Sequence, residues 1–256
     1  MLSIVPFAAA LVLLTVSPAA PATAAADAKA GDYPWLASLR SPAHSTGPGG
    51  HVCGGVLVKA DKVLTAAHCV SRFRKTPGRL KATFGRTDLR RGGGATYQVK
   101  SIWIHPGHRS AKIGGRTVQR DDLAVLTLAR EAGGIKPVKI HKASGAQALL
   151  LGWSSARLRK ATVPLPGDAA CRTAYGSPLP SGLLCAAPAG TPPCPLDEGT
   201  PLIVRVKTTI RYGGQLEPRL ENRVAGLSAA AGCAGNGGPD PYTRLSAFRD
   251  ILKKRL

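Results

Sequence analysis

The histidine and cysteine residues in the first third of this sequence are its first candidates for chemistry. His68 directly precedes Cys69, and Cys53 lies sixteen residues before Cys69. Histidine is the side chain most often used as a general acid or base, although an isolated histidine is more often a surface or packed residue. The chain has no Cys-x-x-Cys pair and no closely spaced set of cysteines and histidines, so this pattern does not indicate a structural zinc site.

Short strands must hold these residues in place. Of the 256 residues, 44% are hydrophobic and 19% are charged, which excludes a disordered chain. The 30 glycines, 21 prolines and 5% aromatic residues argue against a bundle of long helices. Strand-like runs bounded by turn residues instead predict antiparallel barrels or a sandwich. These runs are Val56–Val58, Lys62–Thr65, Tyr97–Val99, Leu123–Leu128, Ala148–Leu151, Leu202–Val206 and Arg223–Leu227.

The last residues predict an amphipathic helix. Apolar residues recur there at intervals of three and four, and basic residues occupy the other side. We expect Lys253, Lys254 and Arg255 to extend beyond the last packed turn and to be free for a ligand. The apolar positions are Leu245, Phe248, Ile251, Leu252 and Leu256.

The N-terminus indicates export. Residues 1–24 carry no charge, contain an apolar run and end in Ala22-Thr-Ala24, which are features of a secretory signal peptide. Ala20 or Ala25 are other residues that could precede the cut. The apolar run is shorter than the roughly 20 residues that span a bilayer, and no later segment reaches that length. We therefore expect a secreted, extracellular protein with paired cysteines and no transmembrane anchor.

Six motifs spread along the chain carry a family resemblance. They are Gly31-Asp-Tyr-Pro-Trp35, Leu64-Thr-Ala-Ala-His-Cys69, His105-Pro106, Asp121-Asp-Leu-Ala-Val-Leu-Thr-Leu128, Gly152-Trp153 and Pro239-Asp-Pro-Tyr-Thr-Arg244. Their order and the placement of the cysteines resemble the trypsin/chymotrypsin family of serine proteases over nearly the whole secreted chain. The resemblance implies an all-β fold of two six-stranded antiparallel β-barrels with a cleft between them. It places the trypsin-like domain at residues 25–256, with the N-terminal barrel at about 31–140, the C-terminal barrel at about 141–245 and a C-terminal helix at about 246–256.

The resemblance also implies the disulfide pairing. Six cysteines allow 15 connectivities, and their spacing by itself selects none of them. The family pattern implies three bridges. They are Cys53 with Cys69, Cys171 with Cys185, and Cys194 with Cys233.

The family's catalytic positions are only partly matched here. In trypsin-like enzymes a serine attacks the peptide carbonyl, a histidine takes the serine proton, and a buried aspartate orients the imidazole. The resemblance assigns His68 as the base and Asp122 as the orienting residue, although a slip of one position would exchange Asp122 for Asp121. The family motif Cys-x-Gly-Asp-Ser-Gly-Gly-Pro corresponds to Cys194-Pro-Leu-Asp-Glu-Gly-Thr-Pro201. This alignment puts Glu198 at the nucleophile position.

These departures predict a loss of peptidase activity. An ionised carboxylate such as Glu198 is a poor nucleophile and an excellent leaving group, so we expect no stable acyl-enzyme. Leu196 stands at the oxyanion-hole glycine, where a Cβ makes the required backbone conformation costly. Asp197 corresponds to the residue that binds the activated N-terminus in active members, and no matching terminus precedes Gly31. If Glu198 reaches His68, two carboxylates flank one imidazole and raise its pKa.

The specificity pocket departs from the family as well. Pro192 stands where trypsin-like members carry an acidic residue, and Ser228 is followed by alanine where the family has tryptophan. Asp240 falls on the far wall of the pocket and could attract a cationic side chain. The alternative for Asp240 is an exposed turn residue after a proline.

The main interpretation is therefore a serine protease homologue without catalysis, and three alternatives stay open. One is an active serine-type endopeptidase of unusual mechanism. A second is a displaced nucleophile at Ser181 or Ser228. The third is a zinc site made by Glu198, Asp197 and His68, which is disfavoured because Asp122 should occupy one imidazole nitrogen. We expect no cofactor and no metal.

The net charge is the remaining functional signal. The chain has 35 Lys and Arg against 14 Asp and Glu, a formal charge of +21, which favours polyanionic polymers or an anionic cell surface as partners. A peptide or protein could also occupy the cleft. No nucleic-acid-binding module is present, so specific recognition of nucleic acid is not expected.

Overall fold

The computed structural model describes residues 23–45, 47–113, 116–176, 179–186, 198–229 and 239–256, and this part of the chain is mostly β. In it sixteen strands accompany three short α-helices. The strands are β1 Ala26–Asp27, β2 Leu36–Arg40, β3 His51–Lys59, β4 Lys62–Thr65, β5 Lys81–Phe84, β6 Ala95–Ile104, β7 Arg109–Ile113, β8 Arg116–Arg120, β9 Ala124–Leu128, β10 Lys139–Ile140, β11 Gln147–Ser154, β12 Arg157–Pro164, β13 Leu183–Ala186, β14 Pro201–Tyr212, β15 Gln215–Ser228 and β16 Asp240–Arg244. The α-helices are α1 Ala67–Val70, α2 Gly167–Tyr175 and α3 Arg249–Arg255. Single 3-10 turns cover Pro42–His44, Pro48–Gly50, Ser71–Phe73, Pro77–Arg79 and Leu245–Phe248.

The N-terminal half is a closed six-stranded barrel. Its strands follow one another in the order β2-β3-β4-β9-β6-β5, all antiparallel. Alternate residues of an antiparallel strand point to one face, and here the inward positions hold fully buried apolar residues such as Leu39, Leu57, Val63 and Leu126. Burial of these side chains holds β4 in register beside β9, and the segments that carry the candidate site residues adjoin these two strands.

The C-terminal half forms a curled half-barrel. Among the described residues the sheet runs in the order β1-β12-β11-β14-β15-β16-β13, with β10 added in parallel on β15. Six of these strands, β11 to β16, come from the C-terminal half. The disulfide Cys171–Cys185 ties α2 to β13. The fold predicted from the family resemblance is confirmed as a mostly β structure with little helix, in which the described residues form one closed six-stranded barrel and one curled half-barrel.

The chain ends in the predicted helix. A 3-10 turn over Leu245–Phe248 leads into α3, and Leu245, Phe248 and Leu252 are buried against the main core. The expectation that the last basic residues lie beyond the packed helix is wrong, because α3 includes them and the Arg255 guanidinium lies 5.0 Å from the centre of the Trp103 ring. No helix within the described segments is both long and apolar enough to cross a membrane.

Candidate active site

His68 is held in place by a short helix and a disulfide. The helix α1 begins two residues after β4 ends, so the barrel sets the position of its first turn. The neighbouring Cys69 is bonded to Cys53 of β3, as the family resemblance implies. The side chain of His68 is 20% exposed, which leaves one edge of its ring open to solvent.

Asp122 lies directly beneath His68. Its side chain is 0% exposed. One carboxylate oxygen, Oδ2, lies 2.6 Å from His68 Nδ1, and the other, Oδ1, accepts a hydrogen bond of 2.9 Å from the His68 backbone N–H. The hydroxyl of Thr243 donates to the backbone oxygen of Asp122 over 3.0 Å. These contacts fix both the carboxylate and the imidazole that it faces.

The neighbouring Asp121 does not take this place. Its carboxylate is partly exposed and lies 3.9 Å from the guanidinium of Arg109. The structure thus places Asp122, and not Asp121, against His68.

Glu198 lies on the opposite side of the imidazole. Its Oε2 is 2.7 Å from His68 Nε2, although the two residues are 130 positions apart in the sequence. The backbone oxygen of Glu198 accepts a hydrogen bond of 2.9 Å from Gly54 N–H of β3. The imidazole therefore bridges two carboxylates, one on each ring nitrogen.

Gly199 allows the chain to approach the barrel this closely. Its φ is +74°, and a Cβ built at this position would come within 2.5 Å of Thr65 Oγ1 and 2.7 Å of Gly54 O. A side chain could not occupy that space without displacing the barrel backbone. Gly199 thus allows Glu198 to lie close to the end of β4, near the start of the helix α1 that carries His68.

The two carboxylates change the protonation of His68. Burial by itself lowers the pKa of this imidazole, but the hydrogen bonds and charges of Asp122 and Glu198 outweigh burial and raise the pKa from 6.5 to about 9. The hydrogen bond from His68 in turn lowers the pKa of the Glu198 carboxyl, against the opposing effect of burial. At neutral pH these shifts favour an imidazolium between two carboxylates.

This arrangement is poorly suited to peptide hydrolysis. A general base needs an unprotonated nitrogen within reach of the proton it removes. Here the raised pKa of His68 favours a proton on Nε2, and that N–H donates a hydrogen bond to the Glu198 carboxylate. The Glu198 carboxylate lies against Nε2 at 2.7 Å, and its negative charge is paired with the imidazolium.

A second histidine approaches the same carboxylate. His108 Nε2 lies 3.4 Å from Asp122 Oδ1, a distance longer than a strong charge-assisted hydrogen bond. Sequence reasoning missed this residue. The only signal was its position three residues after His105 in the motif His105-Pro106, on the loop that turns back towards the site.

The remaining predicted site residues are only partly covered by the structure. Ser228 is buried, and its backbone is hydrogen-bonded to the two residues that follow Glu198. Its carbonyl accepts from Gly199 N–H over 3.1 Å, and its N–H donates to Thr200 O over 2.9 Å. Asp240 is half-buried and pairs with Ala186 as the first residue of β16, so the alternative of an exposed turn residue is wrong. Five predicted residues lie outside the described residues. They are Pro192, Leu196, Asp197 and the pair Cys194 and Cys233.

The potential donor side chains around His68 do not fit a metal ion. Four potential donor residues, Cys53, His68, Cys69 and Glu198, lie within 4.8 Å of one another. The two sulfurs are bonded to each other, so neither is the thiolate that a metal requires. Both imidazole nitrogens face carboxylate oxygens at hydrogen-bond distance. The group is an ion-paired histidine beside a disulfide.

Comparison with known sequences gives consistent matches over the length of the domain. A protein-family model described as Trypsin matches residues 23–252. A trypsin of Saccharopolyspora erythraea is 30% identical over an alignment of 250 positions, which covers 90% of this chain and 96% of that protein. A trypsin-like protease of Streptomyces glaucescens is 31% identical over 216 residues, with 78% of this chain and 74% of that protein covered. Human serine protease 56 is 32% identical over an alignment of 247 positions, which covers 88% of this chain and 37% of that protein.

Comparison with solved structures gives the same architecture. The secreted serine protease VesC from Vibrio cholerae superposes with a TM-score of 0.69 at 22% identity, covering 91% of this chain and 48% of VesC. The VesB protease of the same organism gives a TM-score of 0.67 at 20% identity, covering 90% of this chain and 66% of VesB. At these identities the likeness shows a shared fold.

Proposed function

Because the chain belongs to the trypsin family, we propose that it is a secreted member without peptidase activity that acts by binding anionic polymers or surfaces. The observation that carries the first half of this proposal is the 2.7 Å contact between Glu198 Oε2 and His68 Nε2. It supports the absence of catalysis, because the nitrogen that should accept a proton is already protonated and paired. The position of the attacking hydroxyl is filled by a carboxylate.

Secretion is part of the proposal. The uncharged apolar stretch at residues 1–24 has the features of a signal peptide, of which residues 1–22 lie outside the described part of the chain. Disulfides such as Cys53–Cys69 and Cys171–Cys185 are typical of proteins that leave the reducing cytosol.

A basic cleft beside α3 supports the binding half of the proposal. The cleft has a volume of about 670 Å³ and a floor that includes Leu245, Leu252 and Leu256. Four cations are among its lining residues, and none of the lining residues is Asp or Glu. None of the four forms an ion pair with another described residue. They are Lys59, Lys142, Arg249 and Lys253.

Unpaired cations attract polyanions over the distance set by ionic screening. With a formal charge of +21 on the whole chain, many phosphate, sulfate or carboxylate groups can be neutralised at once. Each contact releases bound counterions, so binding of this kind weakens steeply with salt.

Two assays on the purified mature protein test the proposal. Incubation with a fluorophosphonate and with casein, beside active trypsin as a control, should give neither a covalent adduct nor cleavage. A heparin column should retain the protein at low salt and release it as salt rises. A stoichiometric adduct would favour an active endopeptidase of unusual mechanism, and passage through heparin at low salt would overturn the binding half.

A further inference from the structure

The long hairpin formed by β14 and β15 extends beyond the sheet to which it belongs. The two strands pair from Pro201–Leu227 to Tyr212–Gln215, and a two-residue turn of Gly213 and Gly214 closes them. Both glycines have positive φ, +55° and +84°, as tight hairpin turns require. Within the described residues, the arms over residues 205–222 pair only with each other, because β10, β11 and β16 contact the hairpin at its base.

The hairpin arms carry an unusual amount of exposed apolar surface. Tyr212, Leu216 and Leu220 are 76%, 66% and 56% exposed, and they are the large hydrophobic side chains that stand out as exposed among the described residues. All three lie on the arms, within a stretch of nine residues. Single exposed apolar residues are common, but a cluster of them at one projecting element marks an interaction site.

Leu216 and Leu220 share one face of the hairpin with a row of cations, whereas Tyr212, opposite Gln215, lies on the other face. Residues directly opposite each other in an antiparallel pair point to the same face. Leu216 is opposite Arg211, and Leu220 is opposite Lys207. Arg205 lies two residues before Lys207 on the same face, roughly 7 Å away along the strand, and Arg211 lies four residues after Lys207, roughly 13 Å away. We call Arg205, Lys207, Arg211, Leu216 and Leu220 the basic–apolar face.

The other face of the arms has a different character. It holds both carboxylates of the arms, Glu217 and Glu221, together with Arg219. Near the base it also holds Val206, which packs against the core of the C-terminal half. The basic–apolar face therefore points away from the body of the protein. Its three cations form no ion pair with any described residue.

We propose that the basic–apolar face docks on an anionic lipid bilayer. The cations contact the phosphate and carboxylate headgroups, and the two leucines enter the boundary of the acyl region. This inference rests on the proposed function, in which the protein binds anionic partners, and it commits the hairpin to lipid.

The leucines distinguish lipid from a soluble polymer. A polysaccharide or nucleic acid in water would be held by the cations alone, and the leucines would stay hydrated. A bilayer interface removes their apolar surface from water while the long cationic side chains reach the headgroups. A second copy of the chain would also cover the leucines, but it would bring cations of the same sign against Arg205, Lys207 and Arg211, on a protein already at +21.

Sedimentation with vesicles tests the proposal. We expect the mature protein to bind vesicles of phosphatidylcholine mixed with phosphatidylserine and not vesicles of phosphatidylcholine alone. The double variant Leu216→Ser/Leu220→Ser should bind the mixed vesicles about tenfold more weakly and elute from heparin at unchanged salt. Arg211→Gln should weaken vesicle binding about fivefold. Its matched control, Arg219→Gln, removes the same charge from the opposite face and should weaken vesicle binding clearly less.

A fluorescence measurement provides an independent test that does not depend on losing binding. Leu216→Trp should shift its emission to the blue when mixed vesicles are added. Gln215→Trp, the adjacent residue on the other face, should show no such shift. The wild type corrects for the three native tryptophans.

The outcomes separate this inference from the proposed function. Retention on heparin without binding to mixed vesicles overturns the lipid proposal and leaves polyanion binding intact, whereas failure in both assays overturns both. Equal losses in Arg211→Gln and Arg219→Gln, or equal shifts at the two tryptophan positions, would show that this face is not the contact. A dimer in sedimentation velocity that Leu216→Ser/Leu220→Ser dissociates would assign the face to a second copy.

Discussion

Replacing Glu198 with glutamine tests the ion-paired site most directly. Glutamine keeps the size of the side chain and removes the charge that faces His68 Nε2 at 2.7 Å. Asp122 remains on the other nitrogen. The variant should therefore lower the pKa of His68 from about 9 to a value between that and the ordinary 6.5, because one of the two raising carboxylates is gone.

The same change should alter how stability depends on pH. The rise in the pKa of His68 from 6.5 to about 9 corresponds to about 3 kcal/mol of stabilisation of the folded protein. Because the folded-state pKa is raised, this stabilisation is fully present below pH 6.5 and is lost as the pH rises through about 9. Between about pH 6 and pH 9.5 the wild type should lose nearly all of it, and Glu198→Gln should lose roughly half as much.

Two measurements check this reasoning. NMR titration of the histidine ring signals gives the pKa of His68, assigned by its loss in His68→Gln. Urea unfolding at both pH values gives the change in stability. The control is Glu221→Gln, which makes the same chemical change at a carboxylate paired with Arg223 and should leave the pKa of His68 as it is. A wild-type pKa at or below 6.5, or equal pH dependence in wild type and Glu198→Gln, would refute the ion-paired site.

Three further predictions follow from the site and the surface. Glu198→Ser should restore little cleavage of casein, because the oxyanion-hole and pocket positions remain altered; robust turnover in this single variant would show that those departures matter less than we argue. Lys253→Ser/Lys254→Ser should leave folding intact, lower the salt needed to elute the protein from heparin and make the salt slope shallower by about two, whereas unchanged elution would remove α3 from the binding surface. Gly199→Ala should destabilise the fold by at least about 3 kcal/mol, since it adds a clash to the cost of positive φ. Gly31→Ala, at positive φ in open space, should cost about 1 kcal/mol in urea unfolding, and similar losses in both would contradict the clash.

Much of the architecture follows from local patterns in the sequence. Apart from Leu123, which precedes β9, the predicted strand runs lie in observed strands, because short apolar runs between turn residues are buried in the sheets; Lys62–Thr65 matches β4 residue for residue. The terminal helix follows from its three- and four-residue spacing in the same way. The hairpin arms beyond Val206 were not predicted, because they contain no apolar run, and the structure leaves their side chains exposed or only half-buried.

Both the sequence and the tertiary structure were needed to define the chemistry of the site. The sequence by itself predicted a carboxylate at the nucleophile position, since Glu198 is framed by the glycine and proline of a recognisable motif, and it placed a histidine beside a cysteine shortly after a strand-like run. Only the tertiary structure decided which aspartate meets that histidine, that His108 approaches the same carboxylate, and that Glu198 lies within hydrogen-bond reach of Nε2. The physical reason is distance along the chain. Asp122 and Glu198 are 54 and 130 residues from His68. The contact with Asp122 depends on the pairing of β4 with β9, and the contact with Glu198 depends on the approach of the segment before β14 to β3. No local pattern of residues encodes either of these.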